Sequence, residues 1–399
     1  MITQVRHPIW LPAVRPPGAR TFASLYGLES FARASVSSVV PIQAYDLLQD
    51  KQEVSILYTL VSLTGLSATL FMPLLIERLA RRWVYTMGVV ALIVGAICFS
   101  TNSLSGQVLG MLARAFGAGA LAITLNLYIM DHIRKTEFIP AESLRMAWSM
   151  IGWTAGPTIG VLLYTHFGLA AAHGLSALFA LILLALFWYY RLGDNPVIRP
   201  GKIRPANPLA NIGRFVSQPR LRLAWLIAFG RSCFWTTFFV YGPILMVVTG
   251  EGKLAGGLLV SAGNALLFVA IFWGRIAKRI GARLTMALAF LGMAASLLLA
   301  GISGEPHPLW AAVFLLFCAL FTIALDAIGS SAFMRAVRSY ERPQMSAVYR
   351  TYLDLSDLLP PLVYSIVLAF FGLGAVFATL GVFAAICGLL TWYYLPKSM

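Results

Sequence analysis

Charge is scarce in this chain. Only 11% of its 399 residues are charged, and 15 of those are acidic. Against that stand 59% apolar residues and a mean hydropathy of +0.80. A soluble domain of this size could not hide so much apolar surface, so the solvent is largely lipid. Cysteine is equally thin. Cys98, Cys233, Cys318 and Cys387 lie far apart inside apolar runs, which excludes a disulfide framework and a thiolate metal site. The five histidines (His7, His132, His166, His173, His307) have no metal-ligand spacing. No G-x-x-x-x-G-K-[ST] is present, so the chain has no ATP-driven motor of its own. No G-x-S-x-G and no H-E-x-x-H nominates a catalytic group, so neither an enzyme, a cofactor nor a metal is expected. No N-x-S/T sequon occurs. The first twenty residues carry Arg6, Arg15, Arg20 and four prolines without an apolar core. They read as a cytoplasmic tail, not a cleavable signal.

What the chain does have is apolar runs of about 20 residues, the length at which a helix crosses ~30 Å of hydrocarbon. They lack the alternation of a lipid-facing strand. Because backbone polar groups in lipid must be paired internally, the reading is an all-α membrane protein. Twelve spans are predicted near 21–45, 54–76, 83–101, 107–131, 146–167, 171–190, 223–248, 255–275, 283–302, 309–334, 345–371 and 373–395. The net charge of +15 is dispersed between these spans, which argues against nucleic acid. With the N-terminus inside, 25 Lys/Arg fall on the cytoplasmic side and only Lys51 and Lys253 outside. That bias sets both termini in the cytoplasm. The stretch 191–222, with five prolines and seven Lys/Arg, splits the chain into six spans plus six. The domains expected are a tail over 1–20, a six-helix bundle over 21–190, a cytoplasmic loop over 191–222 and a second bundle over 223–399. Within the loop, Leu209–Val216 reads as a short interfacial helix.

Two basic turns echo one another. The first runs from Pro73 through Glu77, Arg78, Arg81 and Arg82 to Trp83; the second runs from Gly274 through Lys278, Arg279, Gly281 and Arg283 to Leu284. They follow spans 2 and 8. With six plus six spans and a long basic central loop, they resemble the major facilitator superfamily over essentially the whole chain. That family's turn reads Gly, three residues, Asp-Arg, one residue, Gly-Arg. The second copy has Lys278 in place of the acid; the first has Pro73 and Ala80 in place of the glycines. Span 5 carries Gly152, Gly156, Pro157 and Gly160, similar to the fifth-helix motif of proton-coupled antiporters in that superfamily. The residues themselves also admit a packing reading. Glycines every four residues bare one helix face for close approach, and Pro157 favours a kink.

Charges inside the spans point to a cavity, since each costs roughly 2.5–3.5 kcal/mol in lipid. Span 1 has Glu29 and Arg33, at i and i+4 and able to pair. Span 4 has Arg114, span 7 Arg231, span 10 Asp326, and span 11 Arg350, Asp354 and Asp357 on one face. Aligning Pro41 with Pro243 sets the halves at an offset of 202 and places Glu29 on Arg231. Glu29 and Arg231 are therefore expected to face one another, or one substrate, across the interface; the alternative is neutralisation of Glu29 by Arg33 alone. Arg114 resembles the family's fourth-helix arginine, which implies a part in proton coupling; capping of carbonyls is its structural alternative. Asp357 is the deeper acid and the better proton carrier; Arg350 with Asp354 reads as a gate pair. Asp131, with Glu77, Arg78 and Arg81 of the first turn and Arg279 and Arg283 of the second, makes a candidate cytoplasmic latch. Tyr26, Trp153, Trp235 and Tyr241 are candidate cavity aromatics, each with packing as the alternative.

The expectation is a monomeric secondary active transporter of a small organic solute in a bacterial inner membrane. It would work by alternating access between two half-bundles. Proton-coupled export by antiport is expected first. Import of an anionic or zwitterionic solute by symport is the alternative, and a transporter-like sensor without flux the remote one.

Overall fold

The computed structural model describes residues 18–133, 138–190, 208–337 and 342–396. These are helical throughout, with no strand among them. The first half comprises α1 (Ala19–Ala34) and α2 (Val39–Leu48), which together make span 1, then α3 (Lys51–Arg78), α4 (Arg81–Ser100), α5 (Leu104–His132), α6 (Phe138–Phe167) and α7 (Leu169–Tyr189). The short α8 (Pro208–Val216) follows. It packs on the second half, whose spans are α9 (Pro219–Val248), α10 (Lys253–Ala265) with α11 (Ala270–Ile280), α12 (Ala282–Ser303), α13 (Pro308–Ile328) with α14 (Ser330–Ala336), α15 (Arg342–Tyr349) with α16 (Thr351–Val367), and α17 (Leu373–Tyr394). The result is two six-span bundles. Eight helices among the described residues are long and apolar enough to cross a membrane by the strictest measure, and α9 is the most buried of them. Spans 1, 2, 5 and 11 are not among the eight. Residues such as Ile97, Ile271, Ile302 and Ile366 are exposed, as expected of a lipid-facing surface.

The ends of the helices follow local chemistry. Asp50 caps α3 by accepting the Gln52 N–H at 2.7 Å, and Ser103 caps α5 by accepting that of Gly106 at 3.1 Å. The two basic turns are built differently. Gly281 joins α11 to α12 at φ +89°, a conformation that favours glycine. Its counterpart Ala80 sits at φ −60°, ψ 139°, which any residue adopts. The first copy therefore has no need of the glycine that it lacks.

Close approach replaces the hydrophobic effect as the glue inside lipid. Span 1 breaks at Ser35–Ser38, where the Ser35 and Ser37 hydroxyls donate to the carbonyls of Ala32 and Ala34. The glycine face of α6 packs on that break. A Cβ at Gly152 would lie 3.0 Å from the Phe31 nitrogen, and one at Gly156 2.9 Å from the Ala34 carbonyl carbon. A Cβ at Gly160 would overlap the Ser35 carbonyl oxygen. Backbone cannot swing aside as a side chain can. We expect Gly160→Ala to destabilise the protein by about 3 kcal/mol or more, the top of the overpacking range, and Gly152→Ala by less. Melting of the detergent-purified variants checks this; equal stability of Gly160→Ala and wild type would refute the contact. Pro157 does not interrupt α6, which runs unbroken through it.

Candidate functional site

The charged residues of the spans gather near mid-helix, where the two halves meet. In the first half, Arg33 Nη1 donates to Glu29 Oε1 at 3.2 Å, and Glu29 is fully buried. Arg114 Nη2 donates to the Arg33 carbonyl at 3.1 Å. No carboxylate among the described residues lies within ion-pair distance of Arg114. Tyr26 lies beneath the guanidinium of Arg145, 4.4 Å from carbon to ring centre, and Arg145 also binds Glu142 and Asn126.

In the second half, Arg231 is ion-paired with Asp326 and donates from Nη2 to the Tyr352 hydroxyl at 3.0 Å. Trp235 Nε1 donates to the other oxygen of Asp326, also at 3.0 Å. One turn away, Thr236 donates to Asp357 Oδ1 at 2.9 Å. Asp357 is exposed although it sits in the middle of span 11. Arg33 and Arg114 of the first half are near enough to Asp357 to act on it electrostatically. Asp354 makes no ion pair with Arg350, which is itself exposed.

Glu29 and Arg231 do not pair. Each is neutralised within its own half, Glu29 by Arg33 one turn along α1 and Arg231 by Asp326 from span 10. An ion in lipid takes the nearest counter-charge that stays beside it. Tyr241 is not a cavity residue either: it is fully buried and shares a 2.7 Å hydrogen bond with Ser55 of the other half. Trp153 meets Phe239 of the other half at 5.3 Å between ring centres, and Trp235 stacks on that same Phe239 at 5.7 Å. Of the expected latch, the side chains of Glu77 and Asp131 lie outside the described residues. Arg78 and Arg279 are exposed, and Arg283 donates to the Trp392 carbonyl within its own half.

The cross-links that join the halves lie at the face opposite the basic turns. Lys51 pairs with Glu305 at 2.5 Å and Lys253 with Asp46 at 2.6 Å, the latter pair bridged by Tyr164. Thr158 binds Ser261 at 2.7 Å. Lys51 and Lys253 each begin the second span of their half and stand at the same offset of 202 as the prolines. They were visible in the sequence as the two basic residues alone on that face, but their acid partners were not. Burial pushes the Glu305 carboxyl up, but the Lys51 ammonium and the Leu373 N–H outweigh it and hold it below the usual range. A depressed carboxyl contributes above its free pKa and is lost as pH falls through its bound value. This contact therefore stays intact through neutral and mildly acid pH. Each pair is a quarter to a third exposed, and such pairs contribute at most about 1 kcal/mol. Removing both lysines by alanine is expected to shift the halves toward opening at this face by about fivefold to thirtyfold. A cysteine placed at Ser261, with the native cysteines replaced, should then label faster with an impermeant maleimide; an unchanged rate would remove the latch.

The profile of the Major Facilitator Superfamily matches residues 22–270 and 257–398. The chain belongs to that superfamily. Solved structures bear out the major facilitator fold. A POT family transporter in complex with 5-aminolevulinic acid superposes with a TM-score of 0.77 at 15% identity, over 96% of each chain. The peptide transporter POT in complex with sulfate gives 0.72 at 15% identity, over 94% of each. The nucleoside transporter NupG gives 0.72 at 13% identity, over 95% of this chain and 100% of that one. No curated protein matches this chain in sequence. At these identities the likeness concerns the fold, and the chemistry of the site rests on its own residues.

Proposed function

We propose that this major facilitator protein is a proton-coupled secondary transporter that imports a small anionic or zwitterionic solute. The basic face is the cytoplasmic one, by the excess of Lys/Arg there. Both termini then lie in the cytoplasm, and the protein works as a monomer in a plasma membrane of bacterial type. The cross-links at the opposite face close the outer side, so the state described is closed to the outside.

The observation that carries this reading is the layout of charge. Among the described residues, Arg114 in the first half has no carboxylate within ion-pair distance, and Asp357 and Asp354 in the second have no cation within ion-pair distance. Asp357 is the acid that Arg33 and Arg114 act on across the cavity. An anionic group of the solute competes with Asp357 for those guanidiniums. Once displaced, Asp357 has lost its counter-charge in a poorly polar space, and it takes up a proton. Solute and proton thus bind together, which is symport. Antiport would instead need a cationic solute competing with the proton for Asp357. The glycine face of α6 has a packing role against α1, and that role does not depend on antiport.

The test is uptake into pyranine-loaded proteoliposomes under an inward acid gradient. 5-Aminolevulinic acid and a neutral dipeptide serve as probe solutes, the first because a structural relative binds it. Solute-evoked proton entry supports symport. Uptake that is indifferent to the gradient would remove proton coupling, and acid-driven efflux of a cation would restore antiport.

A further inference from the structure

The second basic turn departs from the superfamily's pattern in a way that the transport cycle does not use. Lys278 stands where that pattern has an acid. Span 8 is interrupted by a 3-10 turn over Leu266–Val269, and α11 follows it with none of its residues buried. One side of α11 packs on α13, with Trp273 and Phe321 6.1 Å apart between ring centres. The other side is open. At about 100° per residue, Arg275, Lys278 and Arg279 share one arc of the helix, and Phe272, Ile276 and Ile280 form the stripe beside it. All six are exposed.

These cations have no acid of their own. No carboxylate among the described residues lies within ion-pair distance of Arg275, Lys278 or Arg279. The neighbouring Arg283 is committed to the end of α17: it donates to the Trp392 carbonyl at 3.0 Å and lies 4.7 Å from the centre of that indole. This contact sets the end of α17 level with the turn, where Tyr393 and Tyr394 are also exposed. Tryptophan and tyrosine concentrate at the headgroup level of a bilayer, so the turn meets the membrane at phosphate depth. Arg275 does not reach out into water there. Its guanidinium lies 5.4 Å over the Phe272 ring, three residues back toward the hydrocarbon. A cation held on that side calls for an anion at the same depth.

We propose that this patch binds one anionic phospholipid of the leaflet on the basic face. Arg275, Lys278 and Arg279 hold the headgroup, and an acyl chain lies along Phe272 and Ile276. The apolar stripe beside the cations is what distinguishes a lipid from a dissolved phosphate. Lys278 makes the site, since an acid in its place would cancel the charge of one of the two arginines. The site stands whatever the solute and whichever way it moves.

Thermal melting of the detergent-purified full chain tests it, with titration of phosphatidylglycerol or of phosphatidylcholine with the same acyl chains. A ligand that binds only the folded protein stabilises it by mass action. Phosphatidylglycerol should raise Tm saturably, by about 3 °C at a hundredfold excess over Kd, and phosphatidylcholine should not. Each cation beside an anionic headgroup contributes about fivefold in affinity. Arg275→Gln, Lys278→Gln and Arg279→Gln together should therefore raise the midpoint of the phosphatidylglycerol titration roughly a hundredfold. Lys278→Glu alone should raise it more than about tenfold. Removing as many cations elsewhere on the basic face, by Arg78→Gln, Arg220→Gln and Arg222→Gln, should leave the midpoint in place. The proposal is overturned if phosphatidylcholine stabilises equally, if inorganic phosphate reproduces the shift, or if the two triple variants lose it alike.

Discussion

Asp357→Asn should abolish gradient-driven accumulation while leaving exchange of solute between equal pools intact. Asparagine keeps the shape and can still hold the Thr236 hydroxyl, which now donates to Asp357 at 2.9 Å. It cannot carry a proton. One proton moving down 100 mV contributes about 2.3 kcal/mol, and each 1.4 kcal/mol is tenfold. Wild type can therefore hold roughly a fiftyfold gradient, whereas the variant should settle at equal concentrations inside and out. Exchange needs only that loaded carrier reorients, so it should survive. The solute should also bind more tightly, because the carboxylate that competes for Arg33 and Arg114 has gone. Counterflow and pH-driven uptake in proteoliposomes read the two activities apart. Undiminished accumulation would move the proton to Asp354, which is half-buried one turn along the same helix and has no cation within ion-pair distance among the described residues. Loss of both activities would indicate that Asp357 holds the fold or the solute instead.

That prediction could be approached from the sequence because span 11 announced its acids by where they lay. Twelve spans were legible for the same reason: apolar length and the side bias of lysine and arginine are imposed by the bilayer on every helix separately. Partnerships between helices were not. The offset of 202 put Glu29 opposite Arg231. Correspondence under a pseudo-two-fold is a statement about register, however, and says nothing of which counter-charge is nearest. Arg33 lies one turn from Glu29 on the same helix, and Asp326 reaches Arg231 from span 10. A pair within one half also survives the rocking of halves, whereas a pair across them would be broken in each cycle. The same limit applied at the opposite face. Lys51 and Lys253 could be seen, but Asp46 and Glu305 became their partners only through the docking of the halves. The glycines of α6 show the converse. Their spacing was read both as a motif of exporters and as a packing face, and each of them is in close contact with the backbone of span 1, Gly152 within α1 and Gly156 and Gly160 at its break.

Removing one member of the Arg231–Asp326 pair should unbalance the second half more than any other single charge change. Asp326 accepts from both Arg231 and the Trp235 indole, and Tyr352 accepts from the same arginine. These four side chains tie spans 7, 10 and 11 together at mid-depth. Asp326→Asn leaves the guanidinium without a counter-charge. Breaking a buried pair costs about 3–5 kcal/mol. Each side chain here keeps 20% exposure, so roughly 3 kcal/mol is the expected loss, read as a fall in the melting temperature of purified protein. The double variant Asp326→Asn with Arg231→Gln removes the stranded charge and should recover most of that stability, because an uncharged pair can keep the hydrogen bonds without the desolvation. Glu29 offers the contrast that decides where the charge is balanced. Reversing Glu29 and Arg231 together (Glu29→Arg with Arg231→Glu) should rescue neither single reversal, since each would face its own partner with the wrong sign. If that swap restores stability while the Asp326–Arg231 double variant does not, the two halves exchange charge directly and the pairing within each half is wrong.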